Sequence, residues 1–351
     1  MIEMRQNNLA CEEHVNFLKQ KIEYRITTIL KAGKITKKDK PDILLDDEIK
    51  SCLICIKNNL EIILGANPDE LKKIIKFFQI KYLCIAKEYK EKESKPPIYK
   101  IVYNIFVDNG YDTYLSKTET TKEYDAYKLV ENIGIRTCPY CNRSYISFVK
   151  NDDKKTRPQF DHFYPKAIYP FLACSFYNLI PSCSACNHMK SDDDSYKDEK
   201  DGNLVHPYNV KDGDFTFSYT FYNLDILKSI DEKNIRFRDE EKIKITLDRK
   251  YEKNNEYFQL ETIYQNHKDI VIELILKEIN YPRSYINALI KNGFGTEEEI
   301  YRFIFSNYLK IDDLHKRPLS KLTRDIVKEL GILYKIELAT KEEYSTKEQE
   351  N

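Results

Sequence analysis

Two Cys-x-x-Cys pairs constrain this chain more than any other feature: Cys138 with Cys141, and Cys183 with Cys186, separated by 41 residues. Each x-x turn presents two sulfurs to one ion, so two such turns complete a tetrahedral zinc site. The span between the pairs is longer than a zinc ribbon needs, and the insert is expected to fold as a unit whose open ends the ion clamps together. Four thiolates leave no position for water, which makes the expected Zn²⁺ structural. Inside the insert, Asp161 and His162 set a carboxylate suited to a hard cation beside an imidazole that exchanges a proton near neutral pH. Adjacent strand residues point to opposite faces, so irregular backbone must bring both to one centre. Pro165 agrees with a strand ending there. Asn178 is an amide suited to pinning a loop by hydrogen bonds. Asn187 and His188 follow Cys186 at the expected start of a helix and offer a further oxygen or nitrogen ligand.

Read in order, Cys138-x-x-Cys141, Asp161-His162-x-x-Pro165, Asn178-Leu179 and Cys183-x-x-Cys186-Asn187-x-x-Lys190 resemble the HNH endonucleases of the ββα-metal fold. The resemblance implies that His162 is the general base and Asp161 a ligand of a catalytic divalent ion. It implies that Asn178 orients the His-bearing loop and that Asn187 is the second protein ligand, with His188, one position off, as the second choice. A sparse, oxygen-type ligand set implies Mg²⁺, and a His ligand would admit Mn²⁺. The similarity extends to a bacterial group in which this unit lies between helical flanks, through Tyr169 to Leu172, Ser175 to Asn178, Phe258 to His267 and Arg317 to Asp325. Some members of that group are nuclease subunits of antiphage systems such as Septu, where an ATPase partner is encoded alongside. The implied activity is metal-dependent hydrolysis of phosphodiester bonds in nucleic acid, DNA first. A non-catalytic zinc-knuckle module that binds nucleic acid or protein, and an RNA or tRNA nuclease, are the competing readings. The zinc-knuckle module leaves Asp161, His162 and Asn187 unexplained.

Composition narrows the scaffold. With nine Gly in 351 residues and 32% charged residues, long amphipathic helices are favoured over a many-turned sheet protein. No run of about 18 apolar residues is present and Met1 to Gln6 lack a signal-peptide core, so no membrane span and a cytoplasmic location are expected. Nine cysteines in such a chain fit reduced thiols and a metal site better than a disulfide framework. The formal net charge is +0, and residues 131–206 hold ten basic and ten acidic side chains. That balance is unexpected for a nucleic-acid partner. A basic patch formed in three dimensions, or a grip supplied by a partner protein, would reconcile the two.

The expected fold class is α+β and mostly helical: a central zinc-stapled ββα-metal unit with helical flanks and a small β-sheet. The expected domains are a helical 1–134, an HNH nuclease domain over 135–210, a small sheet with a helical C-terminal part over 211–338, and a polar tail over 339–351. Apolar spacing predicts helices over 10–31 and 45–64, then one from an Asn67 cap and Pro68 to about Lys90, with Lys37 to Asp42 as a connector. A helix over Tyr99 to Val107 is expected to be interrupted at Gly110, and Thr120 or Thr121 to cap a helix that stops at Gly134. Tyr145 to Val149 and Pro158 to Phe163 read as a hairpin, with a short helix near Phe171 to Ser175. Asp214 to Tyr222 reads as a strand, paired by Ile235 to Phe237 and Lys242 to Thr246. Helices over about 251–280, 283–292, 296–309 and 318–330 complete the chain. Cys52 and Cys55, a third Cys-x-x-Cys, lie in an apolar helical run and read as core. Asp192 to Asp194 read as a solvated edge, His267 as a packed helix residue, and His206 as a packing residue with a substrate contact as the alternative.

Overall fold

The computed structural model describes residues 1–37, 40–89, 91, 94–116, 124–151, 153–223, 225, 236–281 and 283–332. The chain is mostly helical with small, separate two-stranded sheets, an α+β composition as expected. Its contacts divide it into two compact units, one of 4–135 with 146–209, the other of 1–3, 136–145 and 210 onward. Among the described residues no helix is long and apolar enough to cross a membrane.

In the unit that contains the N-terminal helices, α1 (Asn8–Ala32) is capped by the Asn7 side chain and stopped by Gly33 at φ 65. Leu18, Ile22, Ile26 and Ile29 form its buried stripe. The expected connector at Lys37 to Asp42 is instead a hairpin of β1 (Lys34–Lys37) and β2 (Lys40–Leu44). Buried Ile35 anchors it, and a 2.6 Å pair between Lys34 and Asp42 closes its exposed side. The next apolar stretch gives α2 (Asp47–Asn58) and α3 (Leu60–Gly65), broken at Asn59. Cys52 is fully buried in α2, in keeping with a core role, whereas Cys55 is only half-buried at its edge. Then α4 (Pro68–Lys81) opens on a capping box of Asn67 and Glu70. It stops at Lys81, short of Lys90, because a 3₁₀ turn at Leu83–Ile85 takes over and buries Ile85.

α5 (Pro97–Tyr103) runs directly into a π-type helix, Asn104–Ser116, so Gly110 does not interrupt the chain. Gly110 allows a close approach: a Cβ there would sit 2.8 Å from the Cys174 sulfur. Thr120 and Thr121 lie outside the described residues, and Asp125 caps α6 (Ala126–Ile133), which ends at Gly134 in the left-handed region.

These helices hold the segment between Phe163 and Asn178. Phe171 packs on Phe78 with ring centroids 4.3 Å apart. The Ser175 hydroxyl donates to the Ile63 carbonyl and the Tyr99 hydroxyl to the Ala167 carbonyl. On either side of that segment, β5 (Gln159–His162) pairs antiparallel with β6 (Leu179–Ser182), Asp161 opposite Ile180 and His162 opposite Leu179. α7 (Ser184–Lys190) follows at once, and α8 (Ser195–Lys200) after it.

The hairpin expected between Tyr145–Val149 and Pro158–Phe163 does not form. Val149–Lys150 (β3) and Lys155–Thr156 (β4) make their own two-residue pair. Tyr145 and Val149 are exposed and the run buries Ile146 alone, too little to fix a register, whereas every residue of β6 is buried. The short helix expected near Phe171 is likewise two 3₁₀ turns, Pro170–Leu172 and Phe176–Asn178. Asp192 and Asp193 are exposed, but Asp194 is half-buried and accepts a 2.9 Å bond from the Tyr169 hydroxyl.

In the other unit, β7 (Phe215–Phe221) pairs along its whole length with β8 (Ile243–Arg249). Phe215, Phe217, Ile243, Ile245 and Leu247 turn into the core at alternate positions. Ile235 lies outside the described residues, and Phe237 belongs to a 3₁₀ segment, Phe237–Lys242. The helix expected over 251–280 breaks into α9 (Glu252–Phe258), α10 (Leu260–Tyr264) and α11 (Lys268–Asn280), with Gln259 left-handed at φ 47. α12 (Arg283–Lys291), α13 (Glu297–Phe305) and α14 (Ser320–Glu329) follow. The tail over 339–351 lies outside the described residues.

His14 gives this scaffold a pH signature. It is fully buried in α1; its Nε2–H donates to the Cys174 carbonyl (2.8 Å), and its Nδ1 faces the Tyr124 hydroxyl (3.0 Å). Burial lowers its pKa from 6.5 to about 4, against the opposing pull of the carbonyl bond. The unfolded chain therefore binds this proton first, and His14 removes stability as pH falls from about 6.5 towards 4. At pH 5 the loss from His14 is about 2 kcal/mol relative to pH 7. Urea unfolding at the two pH values checks it, and the gap should narrow in His14→Gln.

Candidate metal centre and Asp-His site

The first cysteine pair sits on a tight turn. The Cys138 N–H donates to the Ser144 carbonyl, and the Asn142 N–H to the Cys138 carbonyl at 2.7 Å. Asn142 takes φ 49, and the next amide, of Arg143, donates to the Cys141 sulfur at 3.4 Å. An N–H aimed at sulfur favours the thiolate over the thiol. The buried Asn142 side chain anchors the turn: its Oδ1 accepts from the Lys321 N–H, and its Nδ2 donates to Thr137 Oγ1 and the Leu314 carbonyl. The Tyr264 hydroxyl donates to the Cys141 carbonyl at 2.6 Å. Asn142 carries no sequence signal beyond its place directly after the pair.

The second pair lies at the start of α7, Cys183 as its N-cap residue and Cys186 in its first turn. The four sulfurs of Cys138, Cys141, Cys183 and Cys186 all lie within 4.8 Å of one another. Tetrahedral zinc with bonds near 2.3 Å needs sulfurs roughly 3.8 Å apart, so the spacing and the all-thiolate donor set fit Zn²⁺. No other cluster of three or more His, Cys, Asp or Glu ligand atoms is present among the described residues.

β5 brings Asp161 and His162 to a buried position beside α7. The imidazole is 8% exposed. Its Nε2 lies 3.0 Å from the Ala173 carbonyl. A carbonyl only accepts, so Nε2 carries the hydrogen and the neutral ring keeps its lone pair at Nδ1. Burial, and then the Lys166 and Lys190 ammonium groups, lower the His162 pKa to about 3, against the Ala173 carbonyl. The Tyr111 ring stands edge-on to it at 4.4 Å.

Asn178 fixes the chain around this imidazole. It is fully buried; its Oδ1 accepts from the Tyr164 N–H (2.7 Å), and its Nδ2 donates to the carbonyls of Tyr164 (3.1 Å) and Leu172 (3.0 Å). Its own carbonyl accepts from the Phe163 N–H.

α7 turns two residues towards β5. Asn187 Nδ2 donates to Gln159 Oε1 at 2.9 Å, and Lys190, one turn on, reaches Asp161 Oδ1 at 3.2 Å and the His162 carbonyl at 3.1 Å. Lys190 is 0% exposed and Asp161 3%. His188 is exposed, and of the two alternatives it is Asn187 that bonds to the strand. Sequence reading held Lys190 only as the end of a motif. Its spacing of three from Asn187 was the available signal that both share a helix face.

His206 is fully buried against Phe163, its Nδ1 accepting from the Tyr208 N–H. Burial holds its pKa well below the ordinary value. This is the packing role, from the far side of the Asp-His strand end. His267 is half-buried and meets the Arg143 guanidinium at 2.8 Å.

The molecule is thus an α+β protein with a four-cysteine cluster that could hold a metal, its two pairs flanking a buried Asp-His step in sequence. Part of it is similar to the Septu protein PtuB of Bacillus thuringiensis, with 36% identity over 93 residues, 26% of this chain and 31% of that protein. The matched stretch therefore spans about a third of that relative's length. No protein-family model matches the chain, and no solved structure does.

Two outcomes follow from this geometry. Purified protein should hold about one zinc per chain by elemental analysis, and Cys186→Ser should lose it together with cooperative unfolding. Lys190→Met leaves the Asp161 carboxylate buried without its cation and should destabilise the protein by about 3–5 kcal/mol, read as a lowered urea midpoint.

Proposed function

We propose that this protein is a metal-dependent endonuclease of the HNH type that hydrolyses phosphodiester bonds in DNA, with residues 135–210 as its nuclease domain. The observation that carries the reading is the His162 tautomer: Nε2–H is committed to the Ala173 carbonyl, and Nδ1 keeps its lone pair to take a proton. The order β5, β6, α7 supports it, since two antiparallel strands and a helix are the elements of a ββα-metal unit.

In this reading water attacks phosphorus, its proton passes to His162 Nδ1, and the bond from phosphorus to the 3′ oxygen breaks. Asn178 holds the loop that carries the Ala173 carbonyl, and so acts through His162 as a positioning residue. Asp161 and Asn187 would hold a divalent ion. The Asn187 NH₂ is spent on Gln159, which leaves its Oδ1 as the donor, and Asp161 would share its carboxylate between the ion and the Lys190 ammonium. A donor set this sparse suits Mg²⁺, which retains several waters, and His188 stays a second choice on the exposed side of α7. When bound, the ion supplies charge stabilisation at the phosphate and the leaving oxygen. The zinc centre is structural. The similarity to a Septu protein supports a place in a cytoplasmic antiphage system, with an ATPase as partner.

The test is nicking of supercoiled plasmid by wild type and His162→Ala, with Mg²⁺ or Mn²⁺ and without added ion. Metal-dependent nicking that falls at least a hundredfold in His162→Ala, with the zinc content and melting temperature unchanged, is expected. If folded, zinc-loaded wild type cuts no DNA under any of these conditions, the DNase reading fails, and cleavage of RNA in the same format would move the substrate to RNA.

A further inference from the structure

Around α13, three cations converge on one aromatic ring. Arg302, Lys316 and Arg317 lie 4.7, 5.3 and 5.6 Å from the Tyr308 ring centroid. Lys316 has Asp313 at 2.8 Å, but neither arginine makes an ion pair among the described residues. Arg317 donates to the Ser306 carbonyl, which is neutral. Like charges crowded onto one ring repel, and an arriving anion relieves that repulsion.

The two arginines line a cavity of about 740 Å³. Its aromatic wall is Phe294 and Phe303, with ring centroids 4.8 Å apart and Phe303 53% exposed. Two carboxylates also line it, and both are engaged: Glu298 pairs with Lys310 at 2.6 Å, and Glu299 accepts from Thr296 and Gly295 in the capping box of α13. The open functionality of the cavity is therefore guanidinium charge beside an exposed phenyl face. Phosphate pairs with the first and an unstacked base with the second.

We propose that this cavity is a binding site for single-stranded nucleic acid, with Arg302 and Arg317 on the phosphates and Phe303 under a base. The inference deepens the nuclease reading and rests on it for its substrate class. Its residues are remote in sequence from the Asp-His step, so the two fail separately.

The test is fluorescence anisotropy of a 5′-fluorescein-labelled oligo(dT) 20-mer with the His162→Ala protein, in 50–200 mM KCl and no added divalent ion. Arg302→Glu in that background should weaken binding at least tenfold and flatten the salt dependence by one to two phosphate contacts. Phe303→Ala should weaken it roughly tenfold with the salt dependence unchanged. Both positions are solvent-exposed, and melting temperatures identify a folding defect; Arg302→Gln then serves as a second charge variant. Binding equal to the parent in folded Arg302→Glu and Phe303→Ala overturns the site, even if the wild type cuts DNA. Loss of labelled poly-glutamate binding in Arg302→Glu, with oligo(dT) binding retained, also overturns it and assigns the cavity to an acidic protein partner. Binding lost in both variants of a protein whose wild type cuts nothing upholds the site and sinks the nuclease.

Discussion

The Asn178 side chain is fully enclosed, and all three of its bonds run to the backbone of one excursion, the chain between Phe163 and Leu172. An irregular segment at this depth leaves amides and carbonyls that no strand partner satisfies, and each such orphan costs about 1–3 kcal/mol. One amide answers three of them at once. The Ala173 carbonyl directly after Leu172 then points at His162, so the ring's tautomer follows from the loop's hydrogen bonding. The N-terminal helices press on the same loop through Phe78, Tyr99 and Ile63, giving that part of the chain a definite physical task. The loop so held decides which imidazole nitrogen carries the hydrogen.

Lys190 is the counterpart on the other side of the strand. A buried ammonium and a buried carboxylate each lose far more hydration than an exposed ion pair does, and their attraction offsets this only when the remaining donors find partners. Lys190 meets that condition, with one contact to Asp161 and a second to the His162 carbonyl. The helix carrying Cys186 and the strand carrying Asp161 are thus joined by charge. A cysteine pair at the head of α7 and an ion pair at its foot tie down both ends of a seven-residue helix, too short to persist in water on its own.

The helices were readable because their signals are local. Asn67 with Pro68 and Glu70 gave a helix start that the structure reproduces as a capping box, and the cysteine spacing gave the sulfur cluster. Errors gathered where the deciding partner is distant in sequence. The Asp-His strand could pair with Tyr145–Val149 or Leu179–Ser182, and both runs are apolar; burial on both faces of the latter decided it, which no linear pattern displays. Gly110 reads as a helix breaker by propensity, yet the approach of Cys174, far along the chain, makes a glycine fit inside a helix. At the site, Asp161, His162, Asn178 and the cysteines announced themselves by type and spacing. Lys190, Asn142 and the Ala173 carbonyl did not, because a buried lysine looks like any other lysine and a backbone carbonyl has no sequence identity.

Zero net charge reads differently once charges are placed. Several surface lysines are neutralised locally: Lys19 by Glu61, Lys72 by Asp69, Lys128 by Glu131, Lys253 by Glu256. Exposed pairs of this kind contribute little to stability, but they cancel long-range field. What a polyanion meets is the cations left over. Arg302 is one, with no ion pair among the described residues. Lys166, held only loosely by Asp112 at 3.9 Å, lies over the Tyr111 ring that also walls His162. Local imbalance of this kind leaves the total at zero while setting positive charge beside a buried imidazole, and a sum over the sequence averages that placement away.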